Sequence, residues 1–444
     1  MTGPHWLLTT CFFAGLCLAA AAAPQPVAKA SPVLVQQGED VMIESFGARR
    51  IVRRGDTSYI GYSQSIDGKW HIRVRAFNHD TGALGEPVDI SPGTDNHSIM
   101  GLVADSQGRL HCVSGGHGPL TYVRSLRGDD ISHWTPPRQI ATEGTYAMLM
   151  IDRKDRMYVF YRHKGSHLAM QTCPPDGDWQ PTRIIGTAGS GLVFYIMGVA
   201  MGHETGQQSL HVAGHFYGDP AAYGRDWPKE AYGYRVRPWY IRSPDGGDTW
   251  QTAGGKTLDL PVSERTVDVP FDLEEPYDIP WSVDVTVDDE GRPHVFCAWS
   301  YRKPGPDLSY RGVQGAIGKL PGHLWELTWD QGEWSSKPVV TPGLAGAHLY
   351  HSAAIFAEGT LHIAVTAYPI ADAGAAATQP TQLMHLWAGH GEDWQERLVA
   401  HNATFTNNWK LPDSSGVLEL LWRGRAPEGG AKAAIYYTRG LATP

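Results

Sequence analysis

The chain has 444 residues, and 42% hydrophobic residues suffice for a sizeable core. A formal net charge of −9 with no basic run excludes an ordinary nucleic-acid binder. Only Cys112, Cys173 and Cys297 lie beyond the N-terminal segment, an odd set that excludes a disulfide framework.

The first element is an apolar run ending in small alanines, "CFFAGLCLAAAAAPQP". It reads as a secretory signal over residues 1–23, cleaved near Ala21 to Ala23. The run is too short and too alanine-rich at its end for a membrane span. Cys17 lacks a lipobox before it, so no lipid anchor is expected. Residues 24–444 then form one domain, secreted or periplasmic. Next comes "RRIVRR" from Arg49, which reads as a strand with solvated arginines.

A short pattern recurs along the rest of the chain: a turn, then a strand with His or Tyr three residues after the turn. Its copies are "DTSYIGY" from Asp56, "GRLHCVS" from Gly108, "DRMYVFY" from Asp155 and "QSLHVAG" from Gln208. "GRPHVFC" from Gly291, "GTLHIAV" from Gly359 and "GVLELLW" from Gly416 complete the series. The aligned residues are Tyr59, His111, Tyr158, His211, His294, His362 and Glu419, spaced by 52, 47, 53, 83, 68 and 57. Seven units of short strands predict an all-β fold, a seven-bladed β-propeller of four-stranded antiparallel blades. The histidines that share this position read as framework. "RSPDGGDTW" from Arg242 fits the Asp-box pattern, with worn copies at "PPDGDWQ", "DQGEW" and "GHGEDW". These boxes join outer strands and seat a tryptophan between sheets. The last strand, "AAIYYTRG" from Ala433, is expected to pair with N-terminal strands and close the ring.

Hairpin symmetry locates candidate functional residues. Residues equidistant from an antiparallel turn face each other. His97 and His117 are centred on Gln107, Tyr146 and Arg162 on Lys154, and Tyr195 and His215 on Thr205. Three consecutive blades thus present His97, His117, Tyr146, Arg162, Tyr195 and His215 at one face. The set contains no obvious carboxylate pair for glycoside hydrolysis. It suits β-elimination from a uronic acid. An arginine neutralises the carboxylate beside the C5 proton, a histidine or ionised tyrosine removes that proton, and a tyrosine hydroxyl protonates the departing O4.

"DNHSIMGLVADSQGRLHCVSGGHGPLTYVRS", "TYAMLM", "YVFYR" and "YIRSPDGGDTW" resemble the BNR-repeat propeller family, which includes secreted ulvan lyases and related rhamnose–glucuronate lyases. The resemblance covers most of residues 40–440 and implies a polysaccharide groove across one face of a seven-bladed propeller. It implies catalytic roles for His97, His117, Tyr146 and Arg162, with Arg162 on the carboxylate. Tyr195 becomes a substrate contact. Which of His97, His117 and Tyr146 is base and which is acid stays open. The expected partner is an anionic polysaccharide or oligosaccharide, with no nucleic acid and no membrane after signal cleavage.

The resemblance also implies a metal near the axis, for which His215, Cys297 and His351 are the candidate ligands. A thiolate with two imidazoles suits Zn²⁺ better than Ca²⁺, in a structural role. No organic cofactor is expected. The aromatic and basic insertion "YGRDWPKEAYGYRVRPWY" from Tyr223 adds Tyr234, Arg235 and Arg237 as substrate-binding candidates. Rival readings are a rhamnose-releasing glycoside hydrolase of the same propeller group, a non-catalytic glycan-binding propeller, and a sialidase. The single clean Asp box and the lack of an arginine triad count against the last.

Overall fold

Each repeat residue falls on the second strand of an antiparallel hairpin and is buried. The reason is local. A tight turn rich in Asp and Gly reverses the chain, and alternating apolar residues carry the returning strand into the core. The repeat residue then ties that turn to its surroundings. His111 bonds Asp105 in the turn (3.2 Å) and Tyr122 on the third strand (2.8 Å). His294 likewise joins Asp288 (3.2 Å) to Glu326 (2.7 Å). Tyr158 donates to Asp152 at 3.0 Å, and Glu419 accepts from Ser58 and Arg53. The framework reading of this position therefore holds.

The protein is seen in a computed structural model, which describes residues 32–38, 40–43, 47–189, 191–204, 206–218, 234–271, 278–301, 322–369, 380–409, 418–427 and 433–441. The signal-like segment and most of the aromatic insertion lie outside the described residues. The strands form an all-β propeller. Among the described residues they fall into six hydrogen-bonded sheets of antiparallel neighbours. In one of these, the 14-residue strand Arg138–Ile151 pairs with Gly118–Arg124 through its first half and with Met157–His163 through its second. Ring closure follows the expectation: Val33–Gly38 pairs with Ala433–Arg439, so the two ends of the chain share one sheet. Among the described residues no helix is long and apolar enough to cross a membrane.

The Asp box is also structural. Asp245 accepts from Ser243 and from both the amide and hydroxyl of Thr249. Trp250 is fully buried, edge-on to Phe160 of the preceding unit at 6.1 Å.

"RRIVRR" departs from its reading as a strand of solvated arginines. Only Arg53 and Arg54 reach the half-buried surface, whereas Arg49 and Arg50 are buried. Gly47 has φ +60° and lies so close to Met197 that a Cβ there would sit 2.4 Å from its carbonyl oxygen. Arg49 then accepts from the Leu102 amide (2.9 Å), and Arg50 from the Gly61 amide (2.8 Å). The Arg49 guanidinium reaches Ala354 O at 3.1 Å and lies 3.7 Å from the Asp284 carboxylate. This short segment thus touches strands of five sheets, its own among them. Ala48 within it packs in the same buried cluster as Ile99, Tyr146 and Tyr195.

Buried histidines give the fold a predictable acid response. Burial pushes His211 down to about 3 and His362 down to about 4, from an ordinary 6.5. Between pH 6.5 and 4 the unfolded imidazoles take up protons that the folded ones refuse. Stability therefore falls with pH across that window, by at most about 1.4 kcal/mol per pH unit for each histidine. For His294 burial is outweighed by Asp288 and Glu326, so its value is raised. It is protonated in both states below 6.5 and adds no slope. Thermal unfolding should show a clearly lower Tm near pH 4.5 than near pH 7, and a flat Tm would contradict this.

Candidate active site

The hairpin Ile99–Ala104 with Leu110–Gly115 keeps an unbroken register from Ile99↔Gly115 to Ala104↔Leu110. Continued by two residues, that register sets His97 opposite His117. Their rings lie 4.3 Å apart at 64°. His97 is half-buried and His117 exposed, so the pair forms a wall open to solvent.

The second hairpin departs from simple symmetry. Met148 pairs with Phe160 and Leu149 with Val159, centred on Lys154 as expected. A bulge between Thr145 and Met148 then makes Thr145, not Tyr146, the partner of Arg162. Tyr146 itself takes a left-handed backbone, φ +63°. That conformation costs a bulky residue about 1–2 kcal/mol and is retained only where the surroundings impose it. The bulge re-aims the tyrosine towards the pocket. Its ring centroid lies 6.0 Å from that of His97 and 5.1 Å from that of Tyr195. In the third hairpin Tyr195 does pair with His215, and the two rings stack at 5.1 Å and 14°.

Arg162 completes the cluster. Its guanidinium carbon lies 4.8 Å from the Tyr146 ring centroid and 5.2 Å from that of Tyr195. One terminal nitrogen, Nη2, donates to His117 Nε2 at 3.3 Å. Its Nε carries no hydrogen bond among the described residues. The Tyr195 hydroxyl donates to the Tyr146 oxygen at 2.6 Å. That bond and the nearby cation both stabilise negative charge on the Tyr146 oxygen. Burial lowers the pKa of His97; the charges of His117 and Arg162 push the same way and Asp95 opposes them. His97 is thus neutral at neutral pH, as a proton acceptor must be.

Asp95 is the functional candidate that hairpin symmetry missed. Its carboxylate accepts from the His97 amide (2.8 Å), from the His117 amide (3.3 Å) and from His117 Nδ1 (2.9 Å). Asp95, His97 and His117 also bring one donor atom each within 4.8 Å of one another. The available signal was the position of Asp95 two residues before His97, the spacing of an Asx turn.

The remaining candidates sit as follows. Tyr234, Arg235 and Arg237 lie at the start of the strand Tyr234–Ser243, which pairs with Leu210–Gly218. The side chains of Tyr234 and Arg235 lie outside the described residues. Arg237 is half-buried with φ +44°, at a register shift opposite His215 and Phe216. His215 and Cys297 are both fully buried, on the second strands of consecutive sheets. The side chain of His351 lies outside the described residues.

A neutral histidine, a tyrosine oxygen that accepts a hydrogen bond and an arginine stand within one cluster. Such a set can bind an anion and move a proton beside it. A family model described as a BNR repeat-containing family member matches residues 57–342. The chain belongs to the BNR repeat-containing family. Among curated relatives of this family member, an ulvan lyase, "Ulvan Lyase-PL25" of Pseudoalteromonas sp. (strain PLSV), is 25% identical over 142 residues. That match takes in 26% of this chain and 28% of the relative, so the chain spans under a third of the relative's length.

Solved structures extend the likeness in fold over nearly the whole chain. A polysaccharide lyase, PL25 ulvan lyase, superposes with a TM-score of 0.67 at 16% identity, covering 91% of this chain and 96% of its own. The same lyase bound to -[GlcA(1-4)Rha3S]- gives 0.67 at 15% identity, with the same coverage. The polysaccharide lyase Uly1 gives 0.58 at 12%, covering 88% and 89%.

Proposed function

We propose that this BNR repeat-containing protein is a polysaccharide lyase that cleaves a uronate-containing glycan by β-elimination. One observation carries the reading. The Arg162 guanidinium lies against the rings of Tyr146 and Tyr195, with Nη2 on the exposed His117 at 3.3 Å, beside the neutral imidazole of His97. A uronate carboxylate on that guanidinium places C5 next to His97, His117 and Tyr146. The C5–H bond breaks and its proton goes to one of these three. The electron pair forms the C4=C5 double bond, the C4–O4 bond breaks, and O4 leaves with a proton from an acid of the same set. No water is consumed, and the product is a 4,5-unsaturated uronate. Arg162 stabilises the charge that builds on the carboxylate as C5 loses its proton.

The substrate class we favour is a rhamnose–glucuronate, ulvan-like polymer, supported by the ulvan lyase relative and by the ligand bound in the structural neighbour. Tyr195 is a proposed substrate contact, and Tyr234, Arg235 and Arg237, at the start of the strand Tyr234–Ser243, remain substrate-binding candidates. We read the architecture as seven blades over residues 24–444, taking the seven-stranded sheet as two blades bridged by Arg138–Ile151. Residues 1–23 are a signal peptide on this reading, and the mature enzyme is secreted or periplasmic. Incubation with ulvan, gum arabic and other glucuronate polymers tests the activity. The expected result is a rise in ultraviolet absorbance from the conjugated product; saturated reducing ends without that rise would refute it.

His215, Cys297 and His351 are proposed to hold a structural Zn²⁺, with Ca²⁺ the weaker fit for a set containing a thiol. Burial pushes the Cys297 thiol up, and a divalent cation is what would hold it as thiolate. A bound zinc would cross-link three units of the ring and take no part in the chemistry. Metal analysis of the purified chain should find about one zinc per chain, and chelation should lower Tm. A metal-free chain with unchanged Tm in chelator would remove the assignment.

A further inference from the structure

We propose that Asp95 is a positioning residue that fixes both histidines of the pocket and sets the tautomer of His117. The inference rests on the lyase reading for its kinetic consequences, but not for its structural ones. A single carboxylate spans the mouth of the hairpin: one oxygen takes the His97 amide, the other the amide and Nδ1 of His117. Asp95 is itself held in place. The Ser98 hydroxyl accepts from the amides of Thr94 (2.8 Å) and Asp95 (3.1 Å), and the Ser98 amide donates to Asp95 O at 3.0 Å. Room for the carboxylate comes from Gly116. A Cβ at that position would lie 2.1 Å from Asp95 Oδ1 and 2.4 Å from Thr94 Oγ1. Gly116 is therefore part of the same device.

The chemistry of the two neighbours decides the tautomer. An ionised carboxylate only accepts, so the His117 Nδ1 facing it carries the proton. Burial raises the Asp95 pKa, but the hydrogen bonds from His117 and from the amides of His97 and His117 outweigh it, and the net value is lowered. At the other ring nitrogen stands Arg162 Nη2, 3.3 Å away, and a guanidinium only donates. Both neighbours thus require the same form of His117: proton on Nδ1, lone pair on Nε2. When Arg162 turns to a substrate carboxylate, that lone pair is left facing the reacting carbon. His97 needs Asp95 differently. Its Nδ1 is 3.9 Å from the carboxylate, beyond hydrogen-bond reach, and only its backbone is fastened.

Asp95→Asn tests this with almost no change of shape. An amide at 95 can still accept from one amide N–H, but its nitrogen faces His117 Nδ1 as a donor and favours the opposite tautomer. On the best glucuronate substrate, kcat is expected to fall on the order of 10²-fold or more, with KM changed less than about 3-fold, because Arg162 still binds the carboxylate. Histidine ¹⁵N NMR should show His117 as the Nδ1–H form in the wild type and shifted towards Nε2–H in Asp95→Asn. Wild-type kcat in Asp95→Asn, or a wild-type His117 already in the Nε2–H form, would overturn the proposal. Should the wild type itself turn over no glucuronate polymer, the lyase reading fails while the NMR result still decides the role of Asp95. Should Asp95→Asn not fold, the wild-type tautomer alone decides it.

Discussion

Arg162→Lys is expected to lower kcat/KM by on the order of 10²- to 10³-fold while leaving the propeller folded. Lysine keeps the charge, so a loss in this variant isolates geometry. A guanidinium can take both oxygens of a carboxylate in one plane while its face rests on the rings of Tyr146 and Tyr195, and an ammonium can do neither. Loss of one charge-assisted bond to His117 should also free that imidazole to move. Arg162 is half-buried at the end of its strand, and so the expected change in Tm is small. Arg162→Ala should be at least as inactive. Full activity in either variant would remove the carboxylate-binding role.

Tyr146→Phe should cost on the order of 10²- to 10⁴-fold in kcat, the range expected when a proton-transfer group is deleted. The substitution keeps the ring that packs in the core and that carries the Arg162 cation, and removes only the oxygen. What it removes is the acceptor 2.6 Å from the Tyr195 hydroxyl, a hydrogen bond worth about 0.5–1.5 kcal/mol in stability. Kinetics and stability therefore separate. A glycan-binding propeller without catalysis would show the small stability change, unchanged substrate affinity and no turnover to lose. A lyase shows a large fall in kcat with KM nearly preserved. The left-handed backbone at this position adds a second reason to expect a dedicated role, since a tyrosine gains nothing structural from that conformation.

Much of the architecture was legible because its signals are local. Turn residues followed by an alternating strand fix the hairpins, and the seven aligned residues from Tyr59 to Glu419 all fall on second strands. The register of the first hairpin could be read by counting outward from Gln107, and His97 and His117 do meet. Counting failed where the chain departs from a regular ladder. The bulge after Thr145 inserts a residue that no local pattern marks, and it is this bulge that turns Tyr146 into the pocket. Asp95 escaped notice because its role depends on a loop folding back over Gly116. The burial of Arg49 was hidden for a third reason: Ala354, which accepts from it, is 305 residues away in sequence. Long-range closure of the ring decides whether Arg49 faces water or is buried.

Cleavage in heavy-oxygen water tests the central claim most directly. Elimination breaks the C4–O4 bond without consuming water, so mass spectra of the fragments should show an unsaturated uronate end and no heavy oxygen introduced by the cleavage itself. A hydrolase of the same propeller group would place one heavy oxygen in each new pair of ends and leave the glucuronate saturated. Fragments that are unsaturated and unlabelled, and that vanish with Arg162→Lys and Tyr146→Phe, are the predicted result. Labelled, saturated fragments would contradict the lyase assignment and the roles given to Arg162 and Tyr146 within it.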